Sequence, residues 1–294
     1  AAQSLRNQKT NTIGYIIPNI TNGFFSEIGI AIDAFFREKG YSTLICFTSD
    51  SRENEIESIR SLLAKNIDGI ILAPIGNRGE FIDEIPNLAD TPLVLIDNRL
   101  SGPPRNYVLQ DNEGNSRRLT AHIISHGHAN IGFVTGPLEE SSSRERFLGF
   151  CNALEDAGAI YDESLVRTVD WEIHSGYEAT KDLFDNKGNA RPTAIIYGNT
   201  QLLLGGYKAL REKDLLIPQD VAVASFEHPD IIDALTPCPT TLEKVEKRIG
   251  IAAAEMLLSL IETKGEISPP QEILIPSQLI IGESCGCFAR SQNP

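Results

Sequence analysis

Short apolar runs alternate with longer amphipathic segments along most of this 294-residue chain. Turn residues bound each run, as where an apolar stretch stops at Pro18, which has no N–H to donate to a sheet. Buried runs separated by helices are typical of parallel strands joined in βαβ units. The sequence therefore predicts an α/β protein with parallel sheets. The predicted strands cover residues 11–17, 44–47, 69–72, 93–96, 131–134, 194–197 and 221–224.

Two of the amphipathic segments have apolar residues at helical spacing on one face. The first ends before Gly40, a residue typical of helix C-termini, and the second spans about residues 243–263. Both segments are predicted to pack an apolar stripe on a sheet. The apolar positions are Phe25, Ile28, Ile32, Phe35 and Phe36 in the first, and Val245, Ile249, Ala252, Met256 and Leu260 in the second.

The chain is longer than one hydrophobic core usually supports, and 41% of its residues are apolar. The segment 13–18 is echoed by 131–137, each opening a series of strands and helices, so two similar lobes are expected. Residues 1–10 are predicted to be a helical stub and linker. The N-terminal lobe is predicted to comprise 11–127 and 243–271, and the C-terminal lobe 128–242 and 272–290. Ligands of such lobes bind beyond the carboxyl ends of the strands.

Charge and cysteine content restrict the partners. The net charge of −14 repels phosphate, so direct DNA binding by these residues is not expected. Five scattered cysteines favour reduced thiols in a cytoplasmic protein over a disulfide framework. No apolar run has membrane-spanning length, and no membrane partner is predicted.

Several segments resemble catalytic or metal-binding motifs but lack the additional residues that those motifs require. The segment 282–286 resembles a nucleophile elbow around Ser284, but no histidine follows it. Cys285 and Cys287 could bind a metal or oxidise, yet no second ligand pair has zinc spacing, which favours a solvent-exposed tail. His122 and His126 share a helical face near His128 without an acidic partner, and capping carbonyls is their simpler role. We therefore predict no enzyme, no cofactor and no metal.

Polar and aromatic side chains follow the predicted strands. Each has an ordinary alternative: core packing for the aromatic rings, helix capping for the serines near 142, and a solvated surface position for the arginine. Together they provide stacking and paired hydrogen bonds, which suit a neutral polyhydroxyl ligand. The candidate site residues are Phe24, the serines at 141–143, Arg146, Trp171, Asn199 and Glu227.

Taken in order, the motifs resemble those of the LacI/GalR family of bacterial transcription regulators, over essentially the whole chain. Each motif alone is weak, and their order makes the resemblance specific. The matching segments are 2–6, 10–14, 18–25, 68–71, 111–114, 127–132, 146–150 and 218–221.

The resemblance implies two Rossmann-like lobes of the periplasmic-binding-protein type I fold, preceded by a helix-turn-helix headpiece that this sequence lacks. It implies that Ala2 and Leu5 belong to a DNA-binding hinge helix, with Leu5 as a minor-groove wedge. It also implies that an effector cleft is lined by Phe24, Phe25, Ser142, Arg146, Trp171, Asn199 and Glu227. The expected function is a cytoplasmic repressor core that forms a homodimer, or a tetramer, and binds operator DNA under the control of a small molecule.

Three departures from the family pattern concern the ligand. Gly23 stands where a proline is usual, Asn199-Thr200 replaces an Asn-Asp pair, and Glu227 replaces an aspartate. A longer carboxylate moves the hydrogen bond, so the effector cannot be transferred from one family member. A sugar or sugar derivative is the leading ligand class and a purine the second. The alternative function is a secreted sugar-binding protein of a transporter, which shares the fold.

Overall fold

A computed structural model describes residues 9–185, 191–228, 234–263 and 269–287. The chain divides into two compact units, one formed by Ala1–Gln110 with Val245–Ile275 and the other by Asp111–Lys244 with Pro276–Pro294. The predicted Ala2 and Leu5 of the hinge lie outside the described residues. No helix in the described ranges is long and apolar enough to cross a membrane.

Strands and helices alternate through both units, and a 3-10 turn, Glu163–Leu165, precedes the seventh strand. The strands are β1 (Thr12–Ile17), β2 (Ser42–Phe47), β3 (Gly69–Leu72), β4 (Leu93–Ile96), β5 (Tyr107–Gln110), β6 (Ile131–Thr135), β7 (Val166–Thr168), β8 (Ala194–Tyr197), β9 (Ala222–Ser225), β10 (Thr240–Leu242), β11 (Glu272–Ile275) and β12 (Leu279–Ile280). The helices are α1 (Gly23–Glu38), α2 (Arg52–Ala64), α3 (Glu80–Glu84), α4 (Asn112–Ser125), α5 (Ser141–Asp156), α6 (Ile173–Asp185), α7 (Thr200–Glu212) and α8 (Glu246–Glu262).

The first unit is built on a parallel sheet with strand order β11-β5-β4-β3-β1-β2. Its central strands are buried on both faces, which explains their unbroken apolar sequences. Helix α1 begins where the Asn22 side chain accepts a hydrogen bond from the Phe24 N–H, and it packs beside α8 on one face of the sheet. The two predicted apolar stripes form this core, except that Phe35 and Ala252 are only partly buried.

The second unit repeats this plan with strand order β12-β10-β9-β8-β6-β7. All neighbours are parallel except β12, which runs antiparallel to β10. Helices α4 and α5 pack together, as do α6 and α7. The carboxyl ends of β6, β8 and β9 lead directly to the segments that carry most of the predicted site residues.

The α/β class with parallel sheets is confirmed, but the boundaries between the units differ from the predicted ones. The first unit ends at Gln110 rather than at residue 127, because α4 packs against α5 of the second unit. Residues 272–275 belong to the first unit rather than the second, because β11 pairs with β5.

Candidate functional site

Arg146 is a buried, hydrogen-bonded cation at the strand ends of the second unit. It lies on the second turn of α5, the helix that follows β6, and its side chain is only 4% exposed. Nε donates to Asn112 Oδ1 at 2.9 Å, and Nη1 donates to the Gly198 carbonyl oxygen at 2.5 Å. These two bonds fix the plane of the guanidinium and place a charge beside the loop that follows β8.

Two aromatic rings lie close to this guanidinium. Its Cζ is 4.0 Å from the centroid of the Phe226 ring and 5.6 Å from that of the Trp171 ring. Such contacts stabilise a cation by the quadrupole of the ring, and more strongly when water is excluded. Phe226 follows β9 and is buried, whereas Trp171 follows β7 and is half-buried. The structure therefore brings the predicted Arg146 and Trp171 together.

The indole of Trp171 is held by a hydrogen bond and by close backbone. Its Nε1 donates to Glu140 Oε2 at 2.8 Å. Gly136 and Gly198 allow the ring to approach, since a Cβ at Gly136 would lie 2.1 Å from Trp171 Cε2. One edge of the indole thus meets a carboxylate, while its ring lies near the Arg146 cation.

Asn199 and Glu227 meet at the start of α7. Asn199 is the N-cap residue, and its Oδ1 accepts a hydrogen bond from the Leu202 N–H at 2.8 Å. Glu227 Oε2 accepts from the Thr200 N–H at 2.9 Å. Both side chains satisfy N–H groups that a helix start leaves without partners, and the carboxylate is also favoured by the positive end of the helix dipole. A helix-capping role for these two residues is therefore visible directly.

The other predicted residues are buried. Ser142 is 2% exposed in the first turn of α5. Phe24 and Phe25 are each 7% exposed in the core of the first unit, with their rings in an edge-to-face contact at 5.2 Å. Tyr15 Oη donates to the Phe25 carbonyl oxygen at 2.9 Å, and burial raises the pKa of Tyr15 well above its usual value. Core packing accounts for both phenylalanines, and effector contact by them stays a prediction.

Three residues at this site were not among the predicted ones. Asn112 and Glu140 orient Arg146 and Trp171 through hydrogen bonds, and Phe226 lies against the guanidinium. Asn112 lies in the segment 111–114 that carries the family resemblance, and Phe226 immediately precedes Glu227. Position at a helix start could have indicated Asn112, and position at a strand end could have indicated Phe226. Nothing in the sequence pairs Glu140 with Trp171.

Ser284 is fully buried and has a structural role. Its Oγ accepts a hydrogen bond from the Thr240 N–H at 2.8 Å and donates to the Val223 carbonyl oxygen. These bonds tie the chain after β12 to β9 and β10. Potential metal ligands lie nearby at His122, Cys285 and Cys287, whereas the His128 imidazole contacts the Thr193 hydroxyl.

Comparison with known sequences places the chain among transcription regulators. The sequence profile of the periplasmic binding protein-like domain matches residues 120–285. The HTH-type transcriptional repressor PurR of Vibrio atlanticus is 28% identical over 263 residues, covering 90% of this chain and 78% of the relative. The ribose operon repressor of Escherichia coli K12 is 27% identical over 257 residues, covering 87% and 77%.

Solved structures of transcription regulators support the same assignment. A transcriptional regulator of LacI family from Sanguibacter keddieii superposes with a TM-score of 0.84 at 27% identity, covering 95% of this chain and 100% of that one. The transcriptional regulator CelR in complex with cellobiose gives a TM-score of 0.85 at 25% identity, covering 96% and 88%. Fold and matches together define a ligand-binding regulatory protein. The chain belongs to the periplasmic binding protein-like family, as the effector-binding core of a LacI/GalR-type transcription regulator.

Proposed function

We propose that this core controls operator binding by a transcriptional repressor, and that its effector is a sugar or sugar derivative bound at the strand ends of the second unit. The observation that carries the proposal is the Arg146 guanidinium, oriented by Asn112 and Gly198 and flanked by Phe226 and Trp171. The repressor role is supported by two relatives that are named as repressors. The match to this chain covers more than three quarters of the length of each.

The chemistry of these groups suits a polyhydroxyl ring. A guanidinium presents its N–H donors in a rigid fork, which matches neighbouring oxygens on a ligand. An indole offers a flat apolar surface to the C–H face of a sugar, and amide and carboxylate oxygens accept hydrogen bonds from hydroxyl groups. The cellobiose complex of CelR is a structural relative with a sugar bound. We propose that Ser142, Asn199 and Glu227 contribute to the same site.

A purine is the second ligand class, because an aromatic base can also stack on Trp171 and receive hydrogen bonds from Arg146. The two classes differ in what they need. A sugar depends on several hydroxyl contacts, whereas a base depends mainly on stacking. Pentoses, hexoses, disaccharides, sugar phosphates, purine bases and nucleosides should therefore be screened together for a rise in melting temperature.

Arg146→Ala tests the site. Affinity for the ligand found in the screen is expected to fall by at least about tenfold, measured by calorimetry on folded protein, because a buried charged donor is lost. Arg117→Ala is the matched control, since Arg117 is 55% exposed on α4 of the same unit and pairs with Asp156. Equal affinity in wild type and Arg146→Ala would remove Arg146 from the site. A screen in which no compound raises the melting temperature at millimolar concentration would contradict a small-molecule effector.

The proposed partners follow from the repressor role. We propose that operator DNA is contacted through a headpiece and the hinge residues Ala2 and Leu5, that the core forms a homodimer, and that it acts in the cytoplasm, where operators are found. The net charge of −14 supports a DNA contact outside the core, since an acidic surface repels phosphate. A transporter-associated binding protein shares the fold, but the relatives reported above are regulators of transcription.

A further inference from the structure

Three side chains that can ligate a metal meet near the end of α4, whereas Arg146 contacts Asn112 at the start of that helix. His122 lies in the last turn of α4, and Cys285 and Cys287 lie in the segment that follows β12. The three ligand atoms are all within 4.8 Å of one another. The residues are separated by 163 and 165 positions in sequence, so the fold alone brings them together.

The distances match the edges of a tetrahedral metal site. His122 Nε2 is 3.4 Å from Cys285 Sγ and 3.4 Å from Cys287 Sγ. Zinc binds imidazole nitrogen at about 2.0–2.1 Å and thiolate sulfur at about 2.3 Å, which gives a nitrogen-to-sulfur edge of about 3.5 Å in a tetrahedron. A single ion can therefore reach all three atoms with little movement of the side chains.

The segment that carries the two thiols is held by bonds that do not involve them. The Glu283 and Ser284 N–H groups donate to the Cys238 carbonyl oxygen at 2.8 and 3.1 Å, and the Gly282 N–H donates to Thr240 Oγ1 at 3.1 Å. Cys285 is fully buried and Cys287 half-buried against the core of the unit, so the predicted solvent-exposed tail is wrong at these two residues. Both thiols are thus positioned beside His122 by the fold, and little ordering is needed on binding.

The backbone of His122 is held within its own helix. His126 Nδ1 lies 2.9 Å from the His122 carbonyl oxygen, and the rings of His122 and His126 are 4.6 Å apart. Because the His122 backbone is fixed in α4, its Nε2 can face the two sulfur atoms without unwinding the helix. The three ligands therefore connect the last turn of α4 to the segment that follows β12.

We propose that His122, Cys285 and Cys287 bind a thiophilic divalent cation, with Zn²⁺ as its representative. Two thiolates and an imidazole are the donors that zinc prefers, and three protein ligands leave the fourth tetrahedral position to water or another ligand. On binding, each thiol releases one proton to solvent and no electron is transferred. The equal distances from Nε2 to both sulfur atoms favour this site over a Cys285–Cys287 disulfide, which would make no use of the imidazole.

Co²⁺ titration of the reduced chain tests the proposal, because thiolate-to-cobalt charge transfer reports sulfur ligands directly. One ion per chain is expected to bind with this absorption. Cys287→Ser and His122→Gln are each expected to weaken binding by at least about tenfold, as each removes one of three ligands. Cys151→Ser, which removes a half-buried thiol elsewhere in the same unit, is the matched control and should bind as wild type does.

Undiminished charge transfer in Cys287→Ser, or none in the reduced wild type, would overturn the proposal. So would a Cys285–Cys287 disulfide that forms in air, detected as a mass loss of two hydrogens, in a chain whose reduced form binds no Co²⁺. If a variant fails to fold by circular dichroism, the wild type decides the matter. Zn²⁺ is then expected to raise its melting temperature and a chelator to reverse the rise, and an unchanged temperature contradicts the site.

Discussion

The indole of Trp171 lies against two glycines, and a methyl group at either position would meet the ring. An added Cβ at Gly136 would lie 2.1 Å from Cε2, and one at Gly198 would lie 3.1 Å from Cζ3. The first distance is far below van der Waals contact, so the ring must move. The added Cβ would also lie 2.7 Å from Nε1, the atom that donates to Glu140, so movement of the ring is expected to disturb that hydrogen bond.

Gly136→Ala is therefore expected to displace the only tryptophan of the chain. Its fluorescence should shift to longer wavelength as the indole meets more water, effector affinity should fall, and the free energy of unfolding should drop by about 1–3 kcal/mol. Gly23→Ala is the matched control for emission and stability, because a Cβ added there would meet no atom within 4 Å beyond its chain neighbours and its own helix backbone. Identical emission from the Gly136→Ala variant and the wild type would show that the ring is not held as described.

Position after a strand predicted Arg146, and a loop position outside the apolar stripes predicted Trp171; the structure brings the two side chains together. The same reasoning could not identify what orients them. The Asn112 amide reaches Arg146 from a residue 34 positions away, and Glu140 reaches Trp171 across 31 positions. Such pairs depend on how α4, α5 and the loop after β7 pack, which local sequence patterns do not encode.

Among the elements, the strands found from sequence are those with uninterrupted apolar runs. β3, β8 and β9 are fully buried, so every position is apolar or small. Five strands in the described ranges were not predicted. β7 and β10 have 3 residues each and β12 has 2, whereas β11 and β5 have 4 each and are the first two strands at one edge of their sheet. Their pairing is set by neighbouring strands rather than by their own sequence. β2 differs again, because its apolar residues are largely exposed.

Helix α2 is joined to the loop after β3 by a buried carboxylate. Glu55 is fully buried, its Oε2 accepts a hydrogen bond from Arg52, and its Oε1 accepts from the Ile75 N–H at 3.1 Å. Burial outweighs these favourable contacts and raises the pKa of Glu55 to about 7. The folded chain therefore holds a proton more tightly than the unfolded chain, in which the pKa is near its usual 4.5.

Stability gained from this proton is fully present below pH 4.5 and is lost as pH rises through about 7. Glu55 should thus lower the free energy of unfolding by on the order of 3 kcal/mol across that range. The measurement is denaturant unfolding at a series of pH values, which gives the free energy of unfolding as a function of pH. Glu55→Gln is expected to remove the part of this pH dependence that comes from Glu55. Glu57→Gln, an exposed change on the same helix, is the control. A slope in Glu55→Gln that equals that of wild type would rule out the assignment.

At the scale of the whole molecule, the exposed apolar side chains on β2 are the feature that most needs a partner. β2 is an edge strand of its sheet, and Leu44, Ile45 and Phe47 are 36%, 41% and 48% exposed. Apolar edge strands left open to water promote pairing with other chains, and soluble proteins usually cover them. A second copy of this chain is the partner that the proposed homodimer supplies.

Ile45→Glu with Phe47→Glu should convert the proposed dimer to a monomer, because an interface on β2 would then bury two charges without partners. Sedimentation at micromolar concentration measures the change, and the folded monomer should lose little stability because both side chains are already exposed. Ile160→Glu is the matched control, since Ile160 is 91% exposed in the second unit and should leave the dimer intact. Effector affinity that is retained in the monomer would show that one chain is sufficient to bind the ligand. A double variant that still sediments as a dimer would place the interface elsewhere.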